Sequence, residues 1–323
     1  MRTIEFKRFG PPDVLEVVER PQPKPAAGEV LVQVHAAGVN FFEVLMRADR
    51  YAVTPQLPMV PGVEVAGTIT GLGEGTDPSL LGARVGIPLF GVGRGSGGHA
   101  EFIAIEAASV IRLPDALSFE DAVALMVQGL TALYLVRQAP PAGKTVLVNA
   151  AAGGVGSLLV QLARLKGAKR VIGAAGSEEK RLLALSLGAD LAIDPNLQDA
   201  QIMGPDGAGV DIAYDTVGGK TTKSSLVTLA PGGQLVFAAL GRFELDKADL
   251  NGMFERNQSL TGFALLPLLT KEGLWNDLSE LFQLAIAGQL KVLRGQTFAL
   301  HEAALAHRAI ENRETTGKVV LTA

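Results

Sequence analysis

The chain has 323 residues, 48% hydrophobic and 19% charged, the balance of a soluble globular protein rather than a disordered one. With a net charge of −4 and no long basic run, it offers no positive face to a nucleic-acid backbone or an anionic membrane, and neither partner is expected. It contains no cysteine, which removes disulfides, thiolate nucleophiles and every cysteine-containing zinc site.

The opening residues, MRTIEFKRFG, alternate and carry charge, as a strand does and a signal peptide does not. No apolar run approaches the roughly 18–20 residues that span a bilayer, so the expected compartment is the cytoplasm. EVLVQVHAAGV (29–39) and VEVAGTITGLG (63–73) alternate apolar with small or polar residues, the pattern of half-buried strands. Glycine and proline punctuate this region heavily, as in PQPKP (21–25) and GVGRGSGG (91–98). SFEDAVALMVQGLTALYLV (118–136) is helical in composition, with Ser118 as its cap.

From residue 145 strands and helices alternate. TVLVNAA (145–151) reads as a buried strand. GGVGSLLVQLARLKG (153–167) reads as a helix with Val155, Leu158, Leu159 and Leu162 on one face. RVIGAA (170–175), LAID (191–194), VDIAYDTV (210–217), QLVFAAL (234–240) and SLTGFAL (259–265) supply further strands. Such alternation predicts an α/β fold with a parallel, doubly wound sheet and right-handed crossovers. The tail reads as helix (273–288), strand QTFAL (296–300), helix (301–313) and strand GKVVLTA (317–323), pieces that need not join the parallel sheet.

NAAAGGVG (149–156) sits between a strand and a helix, where a dinucleotide fingerprint G-x-G-x-x-G belongs, with Ala151, Gly153 and Gly156 at its three glycine positions. Gly153 lets the backbone approach a pyrophosphate, Gly156 permits close helix–strand packing, and the N–H groups of the helix start favour an anion. Ala151 asks only that the first turn position tolerate a methyl group. At the tip of the next strand an acid would bind the ribose hydroxyls of NAD, but VIGAAGSEEKR (171–181) has none there. Ser177 and Lys180 follow at a helix start, a hydroxyl and a cation suited to a 2′-phosphate. Ser177 reads equally as a plain N-cap and Lys180 as a solvated side chain. The missing acid points to NADPH.

These features resemble, over essentially the whole chain, the zinc-independent quinone oxidoreductases of the medium-chain dehydrogenase/reductase superfamily. The resemblance is carried by AAGVNFFEVLMRADRY (36–51), PGVEVAGTI (61–69), GGHAEF (97–102), NAAAGGVGSLLVQLA (149–163), GSEEK (176–180), VDIAYDTVGG (210–219) and ETTGKVVL (314–321). It implies a GroES-like β-rich catalytic domain from residues 1–120 and 266–323, a Rossmann domain from 121–265, and NADPH across an interdomain cleft.

Zinc-dependent relatives carry a cysteine at or beside Asn40, and Gly-His-Glu where this chain has Gly62, Val63 and Glu64, so no alcohol-type metal site is expected. Hydride must then go to an acceptor that needs little polarisation, a quinone or an activated C=C bond. The resemblance assigns Asn40 to the cofactor or substrate and Tyr51 to the cleft as a hydrogen-bond donor, with a structural ring as the alternative for Tyr51. It assigns Thr131 to the cofactor, Gly153, Gly154 and Val155 to its phosphates, and Leu240, Gly241, Thr216 and Val217 to the nicotinamide crevice or to sheet-end packing.

Two residues depart from the family pattern. Pro195 stands where a tyrosine often holds the adenosine phosphate, and His99 replaces a frequent tyrosine in GGHAEF, which puts the substrate pocket in question. An enoyl reductase acting on unsaturated carbonyls or thioesters remains an alternative, with Arg47, Arg50 and Arg94 as candidates for a basic pocket entrance. A catalytically quiet NADPH-binding protein is another. The resemblance implies a homodimer through the sheet edge near 234–240, an apolar strand that should not stay exposed.

Overall fold

The structure is a computed structural model and describes residues 1–196, 202 and 208–323. It divides into two compact units, Met1–Val127 with Leu269–Ala323, and Gln128–Leu268. The first unit takes in the helix Phe119–Ala124, beyond the expected limit at 120, because that helix packs on the strands Glu29–Val39 and Val65–Leu72.

In the first unit, Arg2–Glu5 pairs antiparallel with Glu16–Glu19. The main sheet runs in the order Arg294–Ala299, Lys318–Thr322, Glu29–Val39, Val65–Leu72, Arg84–Ile87 and Ile111–Arg112, and Phe102–Glu106 also pairs with Glu29–Val39. The alternation expected of 29–39 holds at Gln33, which is exposed, and is lost over Ala36–Val39, which is wholly buried. Small residues make this possible. A Cβ on Gly38 would overlap the side chains of Glu64 and Lys318, which lie against it. Lys318–Thr322 is antiparallel to this stretch, with Val320 opposite Gly38, so the chain's last strand and its first long one meet side by side. Their apolar residues, with Ile69, Ile87, Ile103 and Leu300, form the core of the unit.

In the second unit the sheet is parallel, in the order Leu191–Ile193, Arg170–Ala174, Thr145–Val148, Val210–Asp215, Leu229–Phe237 and Ser259–Gly262. This is the doubly wound α/β arrangement expected. The strand expected at the sheet edge lies one place inside it: Gln234 pairs with Ser259 on one side and Ile212 on the other, and Ser259–Gly262 forms the edge. The helix Gly154–Leu165 is buried on nearly every face and not on a single stripe. The helix Leu130–Gln138 covers it on one side and the sheet strands Thr145–Val148 and Arg170–Ala174 on another.

Phe119–Gln138 is helical over 20 residues and apolar enough to cross a bilayer by length and composition, against the expectation that no run approaches that size. Its most apolar window is 61% buried within the protein, as in the core helix of a globular protein. The helix is not regular: a π-helical turn occupies Leu125–Gly129.

Candidate active site

A parallel sheet brings the loops after its strands to one end, and a doubly wound order leaves a crevice where the winding reverses. Here the reversal lies between Thr145–Val148 and Val210–Asp215. Gly153, Gly154, Val155, Ser177, Lys180, Thr216, Val217, Leu240 and Gly241 all follow the carboxyl ends of these strands, so the structure gathers them at one end of the sheet. Thr131 lies near the start of the helix that packs on Gly154–Leu165.

The loop after Thr145–Val148 is built by local bonds. Gly153 caps the helix and donates its N–H to the Ala150 carbonyl at 2.8 Å, and Ala150 takes the left-handed conformation with φ 51°. Asn149 Nδ2 donates to Ser225 Oγ at 2.8 Å and the Ala151 N–H to the Ala174 carbonyl at 3.0 Å, which fixes the loop to two neighbouring elements. A Cβ on Gly156 would overlap the Ala150 carbonyl and approach Ala151 Cα to 3.0 Å, so only glycine allows this approach of helix to strand.

No side chain caps the helix start. The Gln128 amide lies against Gly154, where an added Cβ would overlap it, and its Oε1 is buried without a partner. The uncapped N–H groups of the first helical turn and the close backbone approach at Gly153 and Gly156 fit the pyrophosphate of a dinucleotide.

At the next strand tip, Gly173, Ala174, Ala175 and Gly176 carry no carboxylate. Ser177 is the N-cap of the helix Glu178–Ser186, its Oγ accepting from the Lys180 N–H at 3.2 Å. Arg181, one residue on, donates to the Ala175 carbonyl at 3.1 Å and pairs with Asp194 at 3.6 Å. Across the reversal, Asp215 was not recognisable in the sequence. It is fully buried and accepts from the N–H groups of Val217 at 2.8 Å and Gly218 at 3.0 Å and from Thr222 Oγ1 at 2.5 Å. It therefore shapes the turn that presents Thr216 and Val217. Leu240 stands exposed at 46%, and Gly241 has a φ of 81° in a turn tied to Gly219 through Arg242.

The first unit holds a buried polar network around Asn40. Asn40 is the N-cap of the helix Phe41–Arg47, and Glu43 completes a capping box: its Oε2 accepts from the Asn40 N–H at 2.9 Å and from Nδ2 at 3.1 Å. Glu43 Oε1 accepts from the Gly62 N–H at 2.8 Å. Asn40 Nδ2 also donates to Glu64 Oε1 at 2.8 Å, and Lys318 Nζ donates to Asn40 Oδ1 at 2.8 Å and to Glu64 Oε1. Glu64 Oε2 accepts from the Val127 N–H at 2.7 Å, inside the π-helical turn.

Glu64 is 0% exposed, Lys318 1% and Asn40 3%. Burial pushes the Glu43 carboxyl up to about 7 against the opposing charge of Lys318. The asparagine amide is spent on this network: both hydrogens are donated and its oxygen accepts from the ammonium.

Tyr51 is half-buried, its ring 5.6 Å from that of Phe42, and burial raises its hydroxyl above the usual phenol range. A raised value keeps it protonated, a donor and not a base. His99 is not a pocket residue. It is fully buried, its Nε2 3.2 Å from the Gly38 carbonyl, and burial holds it down to about 4. Arg47 is likewise no pocket-entrance cation: it is buried, donates to the Gly10 carbonyl at 3.1 Å and pairs with Glu311. Among the described residues, no three His, Asp, Glu or Cys side chains group to hold a metal.

A family profile described as alcohol dehydrogenase GroES-like domain matches residues 26–115, and one described as zinc-binding dehydrogenase matches residues 154–286. A quinone oxidoreductase of Pseudomonas aeruginosa is 34% identical, the alignment covering 99% of both chains. The solved Escherichia coli quinone oxidoreductase complexed with NADPH is 31% identical, with a TM-score of 0.89 and both chains covered completely. The quinone oxidoreductase of Thermus thermophilus, solved alone and with NADPH, is 34% identical, with a TM-score of 0.83 and complete coverage of both chains. Full-length identity at this level, with the glycine loop at the sheet's reversal, establishes that the chain belongs to the quinone oxidoreductase family of the medium-chain dehydrogenase/reductase superfamily.

Proposed function

We propose that this protein is an NADPH-dependent, metal-independent oxidoreductase that transfers hydride to a quinone. One observation carries the reading: a glycine loop fitted to a pyrophosphate at the sheet's reversal, next to a strand tip without a carboxylate. Whole-length relatives that are quinone oxidoreductases solved with NADPH support it.

NADPH, when bound, supplies the hydride from its nicotinamide ring. The N–H groups at the start of Gly154–Leu165, with Gly153, Gly154 and Val155, hold the pyrophosphate. Ser177 and Lys180 take the 2′-phosphate through a hydroxyl and a cation. Thr131, Thr216, Val217, Leu240 and Gly241 line the nicotinamide side. Tyr51, kept protonated by burial, donates to the oxygen that gains charge on the acceptor. The amide of Asn40, bonded within the protein, shapes the acceptor side rather than contacting the acceptor.

The protein acts as a homodimer in the cytoplasm. The open edge at Ser259–Gly262, beside exposed Phe254, Leu266 and Leu268, favours self-association; light scattering at working concentration reads the mass.

A screen with NADPH and NADH against small quinones and a crotonyl thioester tests the reaction. Quinone reduction that is faster with NADPH than with NADH, and faster than thioester reduction, is expected. A preference for the thioester would make the protein an enoyl reductase, and no oxidation of NADPH with any acceptor would make it a quiet binding protein.

A further inference from the structure

The buried pair of Lys318 and Glu64 joins four pieces of chain. Lys318 begins the final strand, Asn40 follows the strand Glu29–Val39 and caps the next helix, and Glu64 follows the loop whose Gly62 N–H is held by Glu43. Glu64 also reaches the Val127 N–H at 2.7 Å, in the π-helical turn that leads to Gln128 and Thr131. Turns of that kind interrupt a helix's regular bonding and are frequent at functional sites. Gly38 is shaped for this pair: any Cβ there would overlap both side chains. A buried ion pair contributes little to stability against apolar residues of equal volume, so stability gives no physical reason to keep it.

We infer that Lys318 and Glu64 are positioning residues: the ammonium fixes the Asn40 amide, and the carboxylate fixes the π-helical turn ahead of Gln128 and Thr131. The inference rests on the reading that these elements serve NADPH and its acceptor. The pair acts through them and touches neither ligand, so its loss is read in the rate of hydride transfer and not in dinucleotide affinity. The residues that hold the pyrophosphate and the 2′-phosphate keep their own bonds.

The test uses the full chain with the double substitution Lys318→Met and Glu64→Leu, which removes both charges at similar volume and leaves neither buried alone. Thermal midpoint, NADPH affinity by fluorescence titration, and single-turnover NADPH oxidation by a small quinone are measured beside the wild type. The expected result is a folded protein with a midpoint lowered by the Val127 N–H and Asn40 amide left without these partners, an NADPH Kd within about twofold, and hydride transfer slowed by about tenfold or more, the scale of a small misplacement at a reacting centre. Transfer at the wild-type rate in the folded double variant would overturn the inference.

A wild-type protein that oxidises NADPH with no quinone would instead overturn the proposed function. Hydrogen exchange at the Val127 amide then decides the inference alone. Faster exchange in the double variant supports it, and unchanged exchange overturns it.

Discussion

Lys180→Ala removes one cation from the first turn of Glu178–Ser186 and leaves the fold's other supports in place. The size of the effect follows from what surrounds it. Ser177 Oγ already accepts from the Lys180 N–H at 3.2 Å, so the backbone of the turn is capped without the lysine side chain. The neighbouring Arg181 is committed to the Ala175 carbonyl at 3.1 Å and to Asp194, and does not take over the role.

A charge-assisted hydrogen bond contributes about 1.5–3 kcal/mol. NADPH binding should therefore weaken roughly tenfold to a hundredfold. NADH lacks the 2′-phosphate, and its affinity should stay within about twofold. Fluorescence titration of the wild type and the variant with each dinucleotide reads both numbers. Equal losses for the two would mean that Lys180 supports only the fold. A wild type that prefers NADH would refute the assignment of the strand tip.

Tyr51→Phe should lower the turnover of a small quinone while leaving NADPH affinity unchanged, as read by steady-state kinetics; unchanged turnover would reduce Tyr51 to a packing ring. Gly156→Ala presses a methyl against the Ala150 carbonyl and should cost about 1–3 kcal/mol of stability, seen as a lower thermal midpoint. An unshifted midpoint would mean that the loop has room it does not show.

Acid should destabilise the protein. His99, held to about 4, and His307, also pushed down by burial, bind fewer protons folded than unfolded, so stability is lost as pH falls below 6.5. Glu43, raised by burial from 4.5 to about 7 against the lowering effect of Lys318, Gly62 and Asn40 and with Glu64 adding to the rise, works oppositely and loses stability as pH rises across that window. Two imidazoles outweigh one carboxyl, so the midpoint should fall from about pH 6.5 to about pH 5, by a net slope of up to about 1.4 kcal/mol per pH unit. A midpoint that rises over this interval would contradict the burial of the two histidines.

The parallel sheet and its loops were legible because their signals are local. A glycine loop between a strand and a helix, a strand tip without an acid and a serine before a helix are each contained within a few residues. Gly153, Ser177 and Val217 accordingly follow strand ends as the sequence implied. The polar interior of the first unit is different in kind. Lys318 reads as a solvated lysine in GKVV until Asn40 and Glu64 are brought against it from the other end of the chain. Only the spacing of Asn40 and Glu43, a capping-box interval, gave a local hint. Asp215 was hidden in the same way, since an acid at a strand end becomes a turn organiser only when Thr222 and two N–H groups face it. Apolar content alone misplaces the edge strand, because it marks an inner strand as well as an exposed one.

The missing first glycine of the fingerprint illustrates how the two kinds of information meet. Ala151 is not where the turn needs unusual backbone; that position is Ala150, in the left-handed region at about 1–2 kcal/mol of strain. What Ala151 needs is space for its methyl group, and the space lies on another strand. A Cβ on Gly173 would come within 2.9 Å of the Ala151 methyl and 3.2 Å of the Ala184 methyl. The glycine that keeps helix and sheet close has in effect moved from the loop to the adjoining strand. Gly156 still allows the helix to approach the loop carbonyl, so the approach to a pyrophosphate is preserved without the first glycine. A fingerprint read along one loop counts this as a loss, whereas in the folded sheet the facing positions carry the same small volume between them.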